Sequence, residues 1–150
     1  MAINLTQRPA LYPHSQIVNE TPFKTISAEF NGANATLVKG SALAAADVFE
    51  LINIPAGAFV LSVTHKVVTP EGATCTYHLG DGVDPDGFVA SANGNAATFA
   101  SSFNGTTTPA FGVGKFYAEA DTLDLTLATG TAANVAVEVS VTFAMTAPKV

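Results

Sequence analysis

The 150-residue chain is long enough for one domain with one core, and it carries six Lys and Arg against twelve Asp and Glu, a formal charge of −6 with a pI near 4.7. Cations so few and so scattered exclude the clustered basic surface that phosphate binding requires, and no nucleic acid partner is expected. Hydrophobic residues make up 48% and charged residues only 12%, so the surface must be finished largely with Ala, Thr, Ser, Gly and Asn, which suits an assembly subunit better than a free monomer.

Residues 1–30 read as an extended N-terminal arm ahead of a sandwich domain over 31–150. Pro9, Pro13 and Pro22 exclude a helix through most of the arm, since each removes a backbone donor and restricts its predecessor. Leu11, Tyr12, Ile17, Val18 and Phe23 are more apolar side chains than a solvated tail needs. They are the candidates for subunit or partner contacts, and the arm is expected to lie along a neighbour or along its own sheet. The opening MAINLTQRPALYPHS holds no apolar run of signal-peptide length, and no stretch approaches 18 apolar residues. Neither secretion nor a membrane is expected, and assembly in a cytoplasm is.

Lys24–Phe30 and Ala35–Lys39 are short strand candidates on either side of an Asn31-Gly32 turn. Ser41 to Ala46 is rich in helix formers, yet six residues without partners predict only a loop or a single turn. Val48–Ile54, Ala58–Thr69 and Thr74–Leu79 follow as strands, punctuated by Pro55-Ala56-Gly57 and Pro70-Glu71-Gly72. Taken in succession they predict one antiparallel sheet, with Phe59, Leu61, Val63, His65 and Val67 on a common face. Phe88 to Gly114 is a long excursion with one or two short strands, anchored by Val89, Phe99, Phe103 and Phe111, and its length marks it as interfacial.

The end of the chain is the most regular. Lys115–Ala118 and Thr122–Ala128 are strands around a corner at Glu119-Ala120-Asp121, with Leu123, Leu125 and Leu127 on one face. From Val135 to Met145, apolar and small or polar residues alternate strictly for eleven residues, which no helix supports. This is a central, half-buried strand whose register is set by keeping Glu138 outside. About eight strands and no helix predict an all-β chain, a jelly-roll-like antiparallel β-sandwich, with a closed barrel as the other solution.

Candidate chemistry is sparse. Asp81, Asp84 and Asp86 in LGDGVDPDGF have the Gly-rich spacing of a cation loop, but no Glu closes it and Pro85 stiffens it, so a structural turn is expected. His14, His65 and His78 stand in no metal-ligand spacing, and Cys75 lies in a strand without a neighbouring cation, as an inert thiol does. GxSxG and GxxxxGK[ST] do not occur. The chain is not expected to be an enzyme, nor to hold a cofactor.

The run from LINIPAGAFVLSVTHKVVTPEGATCTYHLGDGVDPDGF to GKFYAEADTLDLTLATGTAANVAVEVSVTFAM resembles the decoration, or cement, proteins of tailed bacteriophages. The resemblance covers Asp47 to Met145 and rests on an IPAG turn before a long strand, a GDGxDPDGF loop, and an ADTLDLT strand leading into a valine-rich one. It implies a β-sandwich subunit, a homotrimer, that sits on the major capsid protein lattice at the virion surface and stabilises the head. Two other readings share the composition. One is a phage tail or receptor-binding component. The other is a carbohydrate-binding sandwich, which normally presents exposed aromatic platforms, whereas this chain has no Trp and three Tyr.

Overall fold

In the computed structural model, residues 23–102, 110–112 and 114–145 are described. Nine strands and one helix occur among them: β1 (Phe23–Asn31), α1 (Gly32–Lys39), β2 (Val48–Ile54), β3 (Ala58–Thr69), β4 (Cys75–Gly80), β5 (Val89–Asn93), β6 (Phe99–Ser101), β7 (Lys115–Phe116), β8 (Asp121–Gly130) and β9 (Ala136–Met145). A five-stranded sheet runs β1-β9-β3-β6, with β7 also on β3, and a four-stranded sheet runs β2-β8-β4-β5. The antiparallel pairs β1·β9, β2·β8, β3·β6 and β4·β5 are nested like one long hairpin. That hairpin is rolled so that β9 meets β3 and β8 meets β4. This is the jelly roll, an all-β sandwich.

The layers close over one core. Val137, Val139, Val141 and Phe143 of β9 face Leu123, Leu125 and Leu127 of β8, all essentially without solvent contact. Side chains of this kind contribute about 1.5–3 kcal/mol each when fully buried. The two strands with the clearest alternation are thus central, each flanked on both sides. One polar link crosses the core: His65 Nδ1 of β3 is 2.7 Å from the Tyr77 hydroxyl of β4, ring edge to ring face. Burial lowers the His65 pKa and raises that of Tyr77, so both remain neutral and bonded to each other.

Three expectations are corrected. The strand expected at Ala35–Lys39 is the helix α1: Asn31 is its N-cap, accepting from the Asn34 N–H, and Gly40 ends it at φ 73°. These two caps override the β-branched Thr36 and Val38, and Leu37 and Val38 stay exposed. The strand candidate Lys24–Phe30 is present within β1, the edge strand along β9. β2, β3 and β4 do not form one sheet, because β2 and β4 flank β8 while β3 lies in the opposite layer. Finally, the register of β3 shifts between Val60 and Ser62, a bulge that moves the alternation by one residue. Ala58 and Val60 are therefore buried before the bulge and Val63, His65 and Val67 after it, leaving Phe59 and Leu61 off the core face.

Candidate assembly surface

The outer face of the five-stranded sheet can be read row by row from its register. At one end, Phe23, Ala144, Phe59 and Phe116 lie across four neighbouring strands. Phe23 and Phe116 are 56% and 51% exposed. The Phe59 ring covers Gly114, whose positive φ of 102° leaves no room for a Cβ, which would stand 2.7 Å from the ring. Two rows of hydroxyls follow, Thr25, Thr142 and Ser62, then Ser27, Ser140, Thr64 and Ser101. The last row is Glu29, Glu138 and Lys66, ending in Phe99, which is 72% exposed.

Hydroxyl rows of this kind are cheap to cover. Thr25 and Thr142 are hydrogen-bonded at 2.9 Å, and Ser27 and Ser140 at 2.7 Å. Groups already bonded to one another lose little when a partner excludes water, whereas unpaired polar groups lose a great deal. The outer face of the four-stranded sheet is different, since Glu50 and Asp124 stand side by side on β2 and β8. Burial raises the Asp124 pKa, and Glu50, Asp121 and Asp81 add to the rise against one Thr122 hydrogen bond. Covering that acidic face costs desolvation, and among the described residues no ion pair to Glu50 or Asp124 offsets it.

Chains in three phage capsid structures share this fold. A chain of the cyanophage Pam1 capsid matches with a TM-score of 0.60 at 22% identity, over 83% of this chain and 85% of its own. One in the acid-stable capsid of Helicobacter pylori bacteriophage KHP30 matches at 0.58 and 15%, over 83% and 88%. One in the capsid of Ralstonia phage GP4 matches at 0.60 and 19%, over 85% and 86%. No family model matches the chain, and no curated protein does.

Of the residues singled out from the sequence, Phe23 and Phe99 lie on this face at opposite ends. Phe111 is instead packed inward, edge-on to Phe88 with 5.1 Å between ring centroids, and with the Lys115 ammonium 3.9 Å over its ring. Leu11, Tyr12, Ile17, Val18 and Phe103 lie outside the described residues. Phe116 and Ala144 were not singled out, and Phe59 was grouped with Val63, His65 and Val67. The bulge in β3 hid Phe59, and only a strand partner shows that Phe116 stands beside it.

The aspartates of the Gly-rich loop do not converge on a common point, and among the described residues no three His, Cys, Asp or Glu side chains are grouped to hold a metal ion. Asp81 is fully buried and forms the hub of a turn. Its Oδ1 accepts the Val83 and Asp84 N–H groups, each at 3.0 Å, and its Oδ2 takes the Tyr117 hydroxyl at 2.7 Å and the Lys115 ammonium. Burial alone would raise its pKa, but Lys115, Tyr117 and the two amides outweigh it and hold the carboxyl below its ordinary value. Asp84 and Asp86 are left pairing with each other, which raises Asp84.

Proposed function

We propose that the chain is a non-enzymatic structural subunit of a phage virion, and that the outer face of its five-stranded sheet is the surface through which it is built in. The observation that carries this reading is the pairing of an exposed phenylalanine row with self-bonded hydroxyl rows on one face of a jelly roll. The likeness in fold to chains of three phage capsids supports it. In its finer form the subunit is a homotrimer that decorates the outer surface of the major capsid protein lattice and cements the head, assembled in the host cytoplasm. Phe23 and Phe99 then make contacts from the sheet, with Ile17, Val18 and Phe103 as further contacts.

Light scattering on the full chain and on a Phe23→Ser, Phe116→Ser double variant tests the face. The expected result is a three-chain mass that falls to one chain in the variant while the β-sheet circular dichroism spectrum is unchanged, since both side chains lie outside the core. A wild-type mass of one chain would sink the trimer, and a variant that keeps its mass would sink the face. Sedimentation with shells assembled from the major capsid protein alone tests decoration. Saturable pelleting is expected, and protein that stays in the supernatant overturns it.

A further inference from the structure

Both sheets have an edge on the same side of the sandwich, β1 in one and β2 in the other. Between them, capped by α1, lies an open groove of about 460 Å³. Its floor is aromatic: Phe30 and Phe49 pack with ring centroids 4.9 Å apart, and Leu51 continues the strip. Val38 and Val48 rise at its sides, 90% and 55% exposed. The rim is acidic. Glu29 and Glu50 are exposed carboxylates, and the one cation in the lining, Lys39, is bound to Asp47 at 2.6 Å. The groove thus suits a segment that is apolar along its length and positively charged at one point.

The chain itself contains such a segment. Arg8 is its single arginine, and Pro9-Ala10-Leu11-Tyr12 follows. Residues 13–22 join Tyr12 to Phe23, the first residue of β1, and ten extended residues span at most about 35 Å. The groove opens beside Glu29 to Asn31, six to eight residues along β1, a distance of roughly 20–27 Å. The tether therefore reaches with length left for a reversal at Thr21-Pro22. Alongside that span lies the open edge of β1, which is paired with β9 in nine consecutive positions without a bulge and has no strand on its other side among the described residues. A segment held on so short a tether is present at an effective concentration in the millimolar range, so a modest contact suffices.

We propose that in the free subunit the segment Arg8–Tyr12 docks in this groove of its own chain, with Leu11 and Tyr12 on the Phe30 and Phe49 floor and Arg8 between Glu29 and Glu50. The docking does not depend on a virion role. It keeps an apolar segment and an apolar groove covered until both are needed elsewhere.

Replacing Tyr12 of the full chain by the photocrosslinker p-benzoylphenylalanine and irradiating a dilute mixture of light and heavy isotope copies tests this directly. Crosslinks to Ala35, Val38, Val48 or Phe49 within one isotopic copy are the expected result. Crosslinks that join light to heavy copies, or that land outside the groove, overturn it. Arg8→Glu is expected to lower the yield about three- to fivefold, and Glu29→Lys with Glu50→Lys to restore it. A yield unaffected by Arg8→Glu, or one that the reversed pair leaves low, overturns the assigned charge contact. All three substitutions are at exposed or arm positions, and the thermal melt of each variant checks that the sandwich is intact.

Discussion

The two ends of the sandwich are each tied together by a buried carboxylate, and the two carboxylates are satisfied in opposite ways. At the end that holds the β3–β4, β5–β6 and β8–β9 connections, Glu71 accepts the backbone N–H groups of Ala133, Asn134 and Val135 and the Thr131 hydroxyl, and among the described residues it has no ion pair. Its own N–H donates to the Gly94 carbonyl, so one residue joins three connections. At the other end Asp81 also accepts two backbone N–H groups, but it adds the Lys115 ammonium and the Tyr117 hydroxyl. Lys115 in turn lies over the Phe111 and Tyr117 rings. The difference shows what a buried acid needs. Amides alone suffice where several converge on both oxygens, and a cation is recruited where the connection between the two segments is a side chain rather than a backbone.

Each end also has a glycine whose Cβ would strike backbone of a neighbouring connection, Gly32 at one and Gly80 at the other, and changing either should produce the largest effect. A Cβ on Gly32 would lie 1.5 Å from the Ala132 carbonyl oxygen, and one on Gly80 would lie 2.0 Å from that of Asp84. Because backbone must move in both cases, Gly32→Ala and Gly80→Ala are each expected to cost more than about 4 kcal/mol in urea unfolding. A loss under about 1 kcal/mol at either site would show that end to be pliant and would break the symmetry between them.

Next in size is Glu71→Ala, which leaves three backbone N–H groups and the Thr131 hydroxyl without this acceptor and should cost about 3–5 kcal/mol, against about 1–2 for Glu71→Gln, which keeps one oxygen. Equal losses would mean that the charge, not the acceptor, is what the amides require. Asp81→Asn retains an oxygen for the turn but loses the ion pair, and about 2–3 kcal/mol is expected at pH 7. Here the pH dependence has a definite sign. The folded-state pKa of Asp81 is below its ordinary value, so the stability it contributes is complete above about pH 4 and is lost as pH falls through the folded value. The gap between wild type and Asp81→Asn, followed by urea midpoints, should therefore close in acid.

The smallest effect should come from Asp124, which is near the Asp81 end and carries surplus charge. Its pKa is raised by burial, so ionising it opposes folding at neutral pH, and that penalty is relieved as pH falls toward its ordinary value. Asp124→Asn should be more stable than wild type at pH 7 by about 0.5 kcal/mol, with the gain fading in acid. A loss at pH 7 would point to an unrecognised cationic contact at that face.

How far residue patterns could be read depended on what each segment packs against. The alternation in β8 and β9 was legible because both strands are buried on one face along their whole length, and hydrophobicity then reports orientation directly. The bulge in β3 was not legible, since a one-residue slip leaves Phe59, Val60 and Leu61 equally plausible as core. Helix α1 escaped because its stability comes from Asn31 and Gly40 at its ends, not from an apolar stripe, with Gly32 its one buried residue. On the candidate surface, Phe23 and Phe99 could be picked out as apolar residues in irregular stretches, but Phe111 could not be told from them. Its inward position is decided by Phe88 and Lys115, far away in sequence.

By itself, then, the sequence determined that the chain is mostly β, where its last two long strands run, and which face of those two is buried, because periodicity is a local property. Only the tertiary structure decided which strands are neighbours, sending β3 to one sheet and β2 and β4 to the other. Hydrogen-bond ladders are blind to side-chain type, so their pairing is chosen by closure of the whole core. The same closure turned Glu71 and Asp81, two acids in turn motifs, into the points on which the ends are fastened, and it brought Phe23, Phe59 and Phe116 into one exposed row.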